Sequence, residues 1–307
     1  MSSRCLCVCW HKYTPYGSSY YEPILTFFLQ QMQKFENEYD MIYLIDSNWE
    51  IDIKKIEGMK AKIIRVNPSL RYYEAYKEVL PQIKEDLVLF LDNDFLIFQK
   101  WPLNNAFHVL SMGDRCIHGI GNNICTDCWN VGVRFQKYDI VSIIDTIGTM
   151  KVPLEKGNKC CPYFFATKKE LLMKYLDIDW GPDAMPYTET FGLLTEAILK
   201  DGFHVYEIKD NKSNILFDGT QDEPKKTNFY HIRAGSTPAY LLATKEYGNI
   251  DTYNDYLKNQ PKSEFLRQAC WYQYMGGNPL SIIIDSGLAK ETWDNYYQKF
   301  LNYHGLI

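Results

Sequence analysis

Along the first hundred residues the apolar positions follow two different spacings, one typical of strands and one typical of helices. Short apolar runs typical of buried strands occupy residues 4–11, 39–46 and 61–67, and a fourth leads into the acids within residues 86–94. Between them, apolar side chains recur at helical spacing in residues 19–36 and 70–84. The last strand-like run is apolar from Leu87 to Leu91, as a strand covered on both faces requires. This order predicts an α/β fold, a three-layer α/β/α sandwich whose central sheet is mainly parallel.

Beyond residue 100 the pattern is less regular. It predicts a strand at 127–137, a helix at 188–202, and late strands at 203–208 and 227–233. From residue 239 to residue 307 the sequence is helical in pattern and rich in aromatic residues. No repeat or low-complexity linker interrupts the chain. We therefore expect one elaborated domain over residues 1–238 and a helical extension, residues 239–307, packed on it.

The composition argues against some classes of protein. Of the 307 residues, 46% are hydrophobic and 23% are charged, which is enough for a substantial core. The 33 Lys and Arg against 38 Asp and Glu give a formal net charge of -5, which argues against a nucleic-acid binder held by counterion release. No window is apolar enough to predict a transmembrane segment, although peripheral membrane contact stays open.

The N-terminus and the cysteines favour a reducing compartment. The first apolar run is followed closely by His11 and Lys12, which is a poor match to a signal peptide. Cys5, Cys7 and Cys9 alternate on one face of the first predicted strand, which is how a small apolar side chain is used in a core. We therefore expect a cytoplasmic protein.

Two carboxylates follow the most apolar strand. In a regular strand Asp92 and Asp94 would point to the same side, and their repulsion is unfavourable there unless a cation offsets it. Mg²⁺ and Mn²⁺ take one or two carboxylates together with phosphate oxygens. The alternative is a polar turn in which these side chains bond their own backbone. The apolar residues 95–98, which follow directly, favour the metal site because a simple turn rarely needs them.

Other candidate residues follow the neighbouring strands. Trp10 and Tyr13 lie at and just after the end of the first predicted strand, and Asp46 ends the second. In open parallel sheets, ligands bind beyond the carboxyl ends of the strands. The topology therefore predicts that these residues meet Asp92 and Asp94 at one edge of the sheet.

Three segments, in this order, carry a family resemblance. The run "LVLFLDNDFLIF" resembles the D-x-D segment of nucleotide-sugar glycosyltransferases with the GT-A fold, which is Rossmann-like. The segment "WNVGVRFQ", residues 129–136, is similar to the N-x-G-V strand of that family. The segment "YHIRAGS", residues 230–236, resembles the late histidine that many members use as a metal ligand. One departure concerns the spacing, because some members have His-x-x-Gly whereas here Gly235 comes four residues after His231.

The resemblance implies a sugar transfer that depends on Mn²⁺ or Mg²⁺. The donor would be a nucleoside-diphosphate sugar, a UDP- or GDP-sugar, and the acceptor a glycan, a lipid-linked carbohydrate or a protein. Asp94 would bind the metal directly, Asp92 would contact the ribose or the metal through water, and His231 would complete the ligands. On this interpretation the donor half of the domain covers about residues 1–100 and the acceptor half about residues 101–238.

Further residues are candidates for substrate contacts. Trp10 and Tyr13 could stack on the base, Asp46 could accept a hydrogen bond from base or ribose, and Arg71 would lie near the diphosphate. On the acceptor side the candidates are Asn130 and Gly132 as contacts, and Glu189 or Asp183 as a general base for an inverting reaction. The sequence leaves inversion and retention open.

Two other functions stay open beside the glycosyltransferase. A nucleotidyltransferase acting on a sugar phosphate would also hold a metal at the end of a central strand, but it would need a glycine-rich, basic loop after the first strand. The segment "WHKYTPYGSSYYEP" there contains little glycine. The third hypothesis is a non-catalytic, carbohydrate-binding relative of the same fold, because a fold does not by itself imply catalytic activity.

Overall fold

The computed structural model describes residues 2–12, 17–111, 140–146, 158–181, 191–201, 203, 205–207, 229–232, 235–248 and 250–307. The strands are β1 Arg4–Trp10, β2 Met41–Asp46, β3 Ala61–Arg65, β4 Leu87–Asp92, β5 Phe95–Ile97, β6 Ile140–Thr146, β7 Asn158–Lys168, β8 Val205–Glu207 and β9 Phe229–His231. The helices are α1 Ser18–Lys34, α2 Tyr72–Val79, α3 Trp101–Ser111, α4 Lys169–Met173, α5 Gly192–Lys200, α6 Thr237–Tyr247, α7 Ile250–Asn259, α8 Lys262–Tyr274, α9 Leu280–Asp285 and α10 Lys290–His304.

A seven-stranded sheet forms the centre of the fold, with strand order β3-β2-β1-β4-β7-β6-β8. Each neighbouring pair in the described sheet is parallel except the two pairs made by β7, which runs antiparallel to β4 and β6. The predicted α/β fold with a mainly parallel central sheet is therefore confirmed. The predicted strand at 127–137 lies outside the described residues.

The helix predicted over residues 70–84 is shorter than its apolar pattern. It begins at Tyr72 and ends at Val79, and a 3₁₀ turn, Leu80–Gln82, follows it. Pro81 lies in that turn and has no backbone N–H to donate to the preceding turn, so the α-helix stops before it.

Both faces of the sheet are buried, as the continuous apolar runs require. On one face Cys5, Cys7 and Cys9 pack in a core cluster with Phe90 and with side chains from α2, α4 and α5. The predicted core role of these cysteines is confirmed. The alternate residues of the same strands, including Leu6, Val8 and Leu89, have no exposed surface, and α3 contacts β4, β6 and β7. Apolar side chains on both faces are what a sheet with helices on each side needs.

Two compact units make up the chain. The sheet unit comprises Met1–Trp10, Phe35–Asp92 and Gln99–Lys209, and the helical unit comprises His11–Lys34, Asn93–Phe98 and Asp210–Ile307. The chain therefore passes from one unit to the other between Asp92 and Asn93. The division at residue 238 that the sequence suggested stays a prediction.

The helical unit contains a small sheet and an aromatic core. Strands β5 and β9 pair antiparallel, and α6 to α10 confirm that the C-terminal region is helical. Trp271 lies at the centre, with its ring centroid 4.8 Å from that of Tyr230, 4.8 Å from that of Phe300 and 4.9 Å from that of His304. In the part of the chain that is described, no helix combines the length and the apolar character that crossing a membrane requires.

His304 makes the stability of this core depend on pH. Burial, and next the nearby Arg267, lower the pKa of His304 from 6.5 to about 4. In the unfolded chain the ring regains its ordinary pKa, so between these values the unfolded state binds more protons and stability falls as pH falls. We expect His304→Gln to lose less stability than the wild type between pH 7 and pH 4, by about 3 kcal/mol.

Urea unfolding at several pH values measures this difference. His108→Gln is the matched control, because it makes the same substitution on a half-buried histidine in α3. An unchanged pH slope in His304→Gln would contradict the prediction.

Candidate functional site

Three adjacent parallel strands bring their carboxyl ends to one edge of the sheet unit. In the register of β1, Trp10 lies opposite Asp46 of β2, and Cys9 lies opposite Asp92 of β4. The predicted convergence of Trp10, Asp46 and Asp92 is confirmed. Burial, and next the charges of Asp92 and Asp46, raise the pKa of the Cys9 thiol to about 12. This edge therefore concentrates negative charge beside an uncharged thiol.

Asp46 organises the loop that follows β2. Its Oδ1 accepts hydrogen bonds from the backbone N–H of Trp49 at 2.7 Å and of Glu50 at 3.1 Å, and its Oδ2 accepts one from Ile51 at 2.8 Å. Oδ2 also lies 3.9 Å from Nε of Arg65. These bonds hold the loop after β2 in place. The proposed contact with base or ribose stays a prediction.

Trp10 and Arg71 lie in contrasting environments. Trp10 has no exposed surface, and its ring makes an edge contact with Trp49 at a centroid distance of 5.0 Å. Stacking on a base would require that ring to be uncovered. Arg71, directly before α2, is exposed, and its guanidinium donates to the Tyr73 hydroxyl at 2.6 Å. The substrate contacts of both residues stay predictions.

Asp92, the last residue of β4, is half-buried and receives a hydrogen bond from helix α2. The hydroxyl of Tyr72 donates to its Oδ1. The hydroxyls of Tyr72 and Tyr76 lie 2.7 Å apart, so a second tyrosine of the same helix extends the network. The pKa of Tyr72 is raised well above its ordinary value by burial first and by Asp92 next. Tyr72 is therefore a protonated donor at neutral pH.

Asp94 belongs to the helical unit and lies in a turn. The strand β4 ends at Asp92, Asn93 and Asp94 form the turn, and β5 begins at Phe95, so the two acids do not share one regular strand. Asp94 is 6% exposed, and its Oδ2 accepts the backbone N–H of Gly235 at 2.8 Å. A Cβ on residue 235 would come within 2.8 Å of the Asp94 Cβ, so only glycine permits this approach.

His231 ends β9, and the backbone places it beside the acidic turn. It pairs with Phe95, the residue after Asp94, and the N–H of Ile232 donates to the Asp94 carbonyl oxygen at 3.2 Å. The side chain of His231 is outside what the structure describes. Its role as a metal ligand stays a prediction.

Five candidate residues lie outside the described residues. They are Tyr13, Asn130, Gly132, Asp183 and Glu189. Their proposed contacts with base, donor and acceptor, and the proposed role of Glu189 or Asp183 as general base, stay predictions.

Carboxylate oxygens are the ligands that the described residues could provide to a hard cation such as Mg²⁺ or Mn²⁺. No group of three or more His, Cys, Asp and Glu side chains suited to a metal occurs among the described parts of the chain. Mg²⁺ and Mn²⁺, however, take as few as one or two carboxylates when phosphate oxygens and water supply the rest. Asp92 and Asp94 are separated by one residue, so the chain alone keeps their Cα atoms within about 7 Å. By its chemistry, the carboxylate of either acid suits such an ion when phosphate oxygens and water supply the remaining ligands.

Two contacts of the acids were not predicted from the sequence. The aromatic pattern of α2 does not distinguish Tyr72 from its neighbours, and the sequence marks Gly235 only by its spacing from His231. A tyrosine on the helix that precedes the D-x-D strand, and a glycine just after the late histidine, are the signals that could have identified them. Both engage one oxygen of an acid, Tyr72 on Asp92 and Gly235 on Asp94.

Comparisons with known proteins give similarity of structure alone. The chain matches no protein-family model and no curated protein. One similar structure is a mannosyltransferase from Pyrobaculum calidifontis in complex with GDP-Man and Mn²⁺, 13% identical at a TM-score of 0.41, over 98% of this chain and 87% of that one. Another is 4-diphosphocytidyl-2C-methyl-D-erythritol synthase from Anaerococcus prevotii, 16% identical at a TM-score of 0.41, over 70% of this chain and 89% of that one.

A third is glucosyl-3-phosphoglycerate synthase from Mycobacterium tuberculosis in complex with phosphoglyceric acid, 13% identical at a TM-score of 0.37, over 70% of this chain and 74% of that one. These structures include both nucleotidyl- and glycosyltransferases. Because these identities and TM-scores are low, the similarity to these structures adds nothing to what the sheet topology shows about the fold.

Proposed function

We propose that this protein is a metal-dependent glycosyltransferase that uses a nucleoside-diphosphate sugar. The observation that carries the proposal is the carboxylate of Asp92 at the end of the central strand β4, with Asp46 at the end of β2 on the far side of β1, offset by one residue in the register of β1. In sheets of this type the edge beyond the strand ends is the ligand edge. Asp94 follows within one residue and is held by Gly235. Acids at this place suit a cation and a diphosphate.

The proposed cofactor is Mn²⁺ or Mg²⁺, held by Asp94, by Asp92 directly or through water, and by His231. When bound, the cation neutralises the charge that develops on the leaving diphosphate. The backbone N–H of Gly235 donates to Asp94 and the hydroxyl of Tyr72 donates to Asp92, so a protein donor holds each acid in place.

The remaining candidate residues complete the proposal. Trp10, Tyr13, Asp46 and Arg71 would contact the UDP- or GDP-sugar. Asn130 and Gly132 would contact a carbohydrate-containing acceptor, and Glu189 or Asp183 would accept the proton of its hydroxyl if the reaction inverts the anomeric centre.

A nucleotidyltransferase is the second candidate, and Lys12 favours it. Lys12 lies two residues after the end of β1, is 2% exposed, and its Nζ donates to the hydroxyl of Ser18, the first residue of α1, at 3.1 Å. A cation in the loop after the first strand is what binding of a triphosphate would use. The small glycine content of this loop counts against it.

Identification of the leaving group separates the two candidates. The protein would be incubated with Mn²⁺ and a panel of UDP- and GDP-sugars, and release of UDP or GDP measured, since many transferases pass their sugar slowly to water. In parallel it would receive nucleoside triphosphates and sugar phosphates, and pyrophosphate would be measured. We expect metal-dependent release of the nucleoside diphosphate. Pyrophosphate release alone would replace the proposal by the second candidate.

A binding measurement covers the case in which the acceptor is missing. A protein that binds a diphosphate and a metal gains thermal stability by mass action. We expect UDP or GDP to raise the melting temperature when Mn²⁺ is present. If no nucleotide raises it, with or without metal, the proposal is wrong.

A further inference from the structure

We propose that the helical unit has a ligand site of its own, a cleft between α6, α7 and α9 that binds an organic anion, a carboxylate or a phosphate attached to an apolar group. The cleft has a volume of about 680 Å³. Clefts that bind small molecules typically measure about 300 to 1,000 Å³. Its lining residues all belong to the helical unit, so the site is independent of the proposed glycosyl transfer.

One face of α7 forms a wall of the cleft. Its lining residues recur at spacings of three and four, which places them on the same side of the helix; they are Ile250, Tyr253, Asn254, Leu257 and Lys258. Ile250 and Leu257 give this wall an apolar surface, and Ile250 is 53% exposed. The wall therefore combines accessible apolar surface with the ammonium group of Lys258.

An ion pair lies in the same cleft. Nζ of Lys245 in α6 lies 2.6 Å from Oδ2 of Asp285 in α9, and the hydroxyl of Tyr253 donates to the same oxygen at 2.5 Å. Burial alone would raise the pKa of Asp285, but the hydrogen bonds from Lys245 and Tyr253 lower it below its ordinary value. The carboxylate of Asp285 therefore stays ionised, and the charge of Lys245 offsets it.

Lys258 leaves the cleft with an excess of positive charge. Within the described parts of the chain, the Lys258 side chain has no ion-pair or hydrogen-bond partner, and the residue is exposed. An ammonium group has three N–H donors, and its bonds to carboxylates and phosphates are stronger than bonds between neutral groups. Asn254, one turn before Lys258 on the same face of α7, adds an amide donor. These donors suit an anionic group beside the apolar wall.

A neutral sugar suits the cleft less well than an anion. Sugar rings commonly pack on the open face of an aromatic side chain. Among the described residues that line the cleft, the one aromatic ring is that of Tyr253, which is 2% exposed. The Lys245 ammonium lies over this ring, 5.9 Å from its centroid. The cleft therefore provides charge and apolar surface without an open ring for stacking.

The test is isothermal titration calorimetry without metal or nucleotide, with benzoate and phenyl phosphate as the organic anions. Benzyl alcohol and glucose are neutral controls, and inorganic phosphate lacks the apolar group. We expect saturable binding of benzoate, phenyl phosphate or both, and the tighter of the two identifies the preferred anionic group. The three controls should bind much more weakly. Added salt should weaken the binding of the anion, because salt screens an exposed charge.

Matched variants locate the binding. Lys258→Gln should weaken it about 10-fold, the size expected for loss of a hydrogen bond to a charged group. Lys262→Gln is the control, since Lys262 is an exposed lysine that does not line the cleft. Ile250→Ser should weaken the binding as well, whereas Ile284→Ser should not, although both isoleucines are 53% exposed. All four positions are exposed, so these variants should fold, which circular dichroism checks.

Three outcomes would overturn the inference. The first is that neither benzoate nor phenyl phosphate binds to the wild type. The second is wild-type affinity in Lys258→Gln, which would place the anion elsewhere on the protein. The third is binding of benzyl alcohol or glucose as tight as that of the anions, which would show that the cleft does not select for charge. None of these results bears on the proposed function, whose test is the metal-dependent release of a nucleoside diphosphate.

Discussion

Replacing Asp94 by asparagine should abolish metal-dependent nucleotide binding while the protein stays folded. Asparagine keeps an oxygen that can accept the N–H of Gly235, so that buried donor stays paired. It lacks the negative charge that attracts a divalent cation. Loss of an outer partner of a metal ligand costs about 10- to 100-fold in affinity, and loss of the ligand charge itself should cost more than about 100-fold. The measurement is the shift in melting temperature with Mn²⁺ and UDP or GDP.

Asp94→Ala provides a useful contrast. It removes the acceptor as well as the charge, so it should also lower the stability of the unliganded protein by about 1–3 kcal/mol, the cost of an unsatisfied buried donor. Asp177→Asn makes the same chemical change on an exposed acid of the sheet unit and should leave the ligand shift unchanged. A full ligand-induced shift in Asp94→Asn would show that Asp94 does not hold the metal.

The second large effect is expected at Phe90, in the centre of β4. Truncating a fully buried phenylalanine removes its transfer free energy and leaves a cavity, which together cost about 3–5 kcal/mol. Phe90 has no exposed surface. Its ring centroid lies 4.3 to 6.5 Å from those of four other aromatic residues, Tyr76, Phe165, Trp180 and Phe191. We therefore expect Phe90→Ala to lower the free energy of unfolding of the sheet unit by about 4 kcal/mol.

Urea unfolding followed by tryptophan fluorescence measures this loss, since Trp180 belongs to the same cluster. Phe203→Ala is the control, because Phe203 packs against the cluster but is only partly buried. It should cost clearly less, since the stabilisation scales with the apolar area removed from water. If Phe90→Ala and Phe203→Ala lowered the free energy of unfolding equally, the aromatic cluster around Phe90 would not be the centre of stability of this unit.

The hydrophobic pattern of the sequence predicted most of the fold. The strands at Arg4–Trp10, Met41–Asp46, Ala61–Arg65 and Leu87–Asp92 all fall within the predicted runs. Runs of this kind can be identified locally because burial on both faces of a sheet demands an apolar residue at every position. The pattern predicted the wrong end for α2. Pro81 lacks a backbone N–H, so the helix ends at Val79 and not at residue 84.

The site could be predicted only in part. The parallel topology was sufficient to bring Trp10, Asp46 and Asp92 to one edge, because carboxyl ends of adjacent parallel strands lie together. It was not sufficient to show the turn at Asn93 and Asp94. The apolar residues on the two sides of the acids form two strands in two different sheets, and a polar turn at the acids was one of the two alternatives that the sequence left open.

The contacts of the two acids were decided by the tertiary structure. Tyr72 is 20 residues from Asp92 along the chain, and Gly235 is 141 residues from Asp94. The residue types, their order and the burial they demand follow from local chemistry, which a single sequence displays. A hydrogen bond between distant residues depends on how the elements pack against one another, and no local pattern encodes that distance. The acids could therefore be identified from the sequence, whereas the donors that hold them could not.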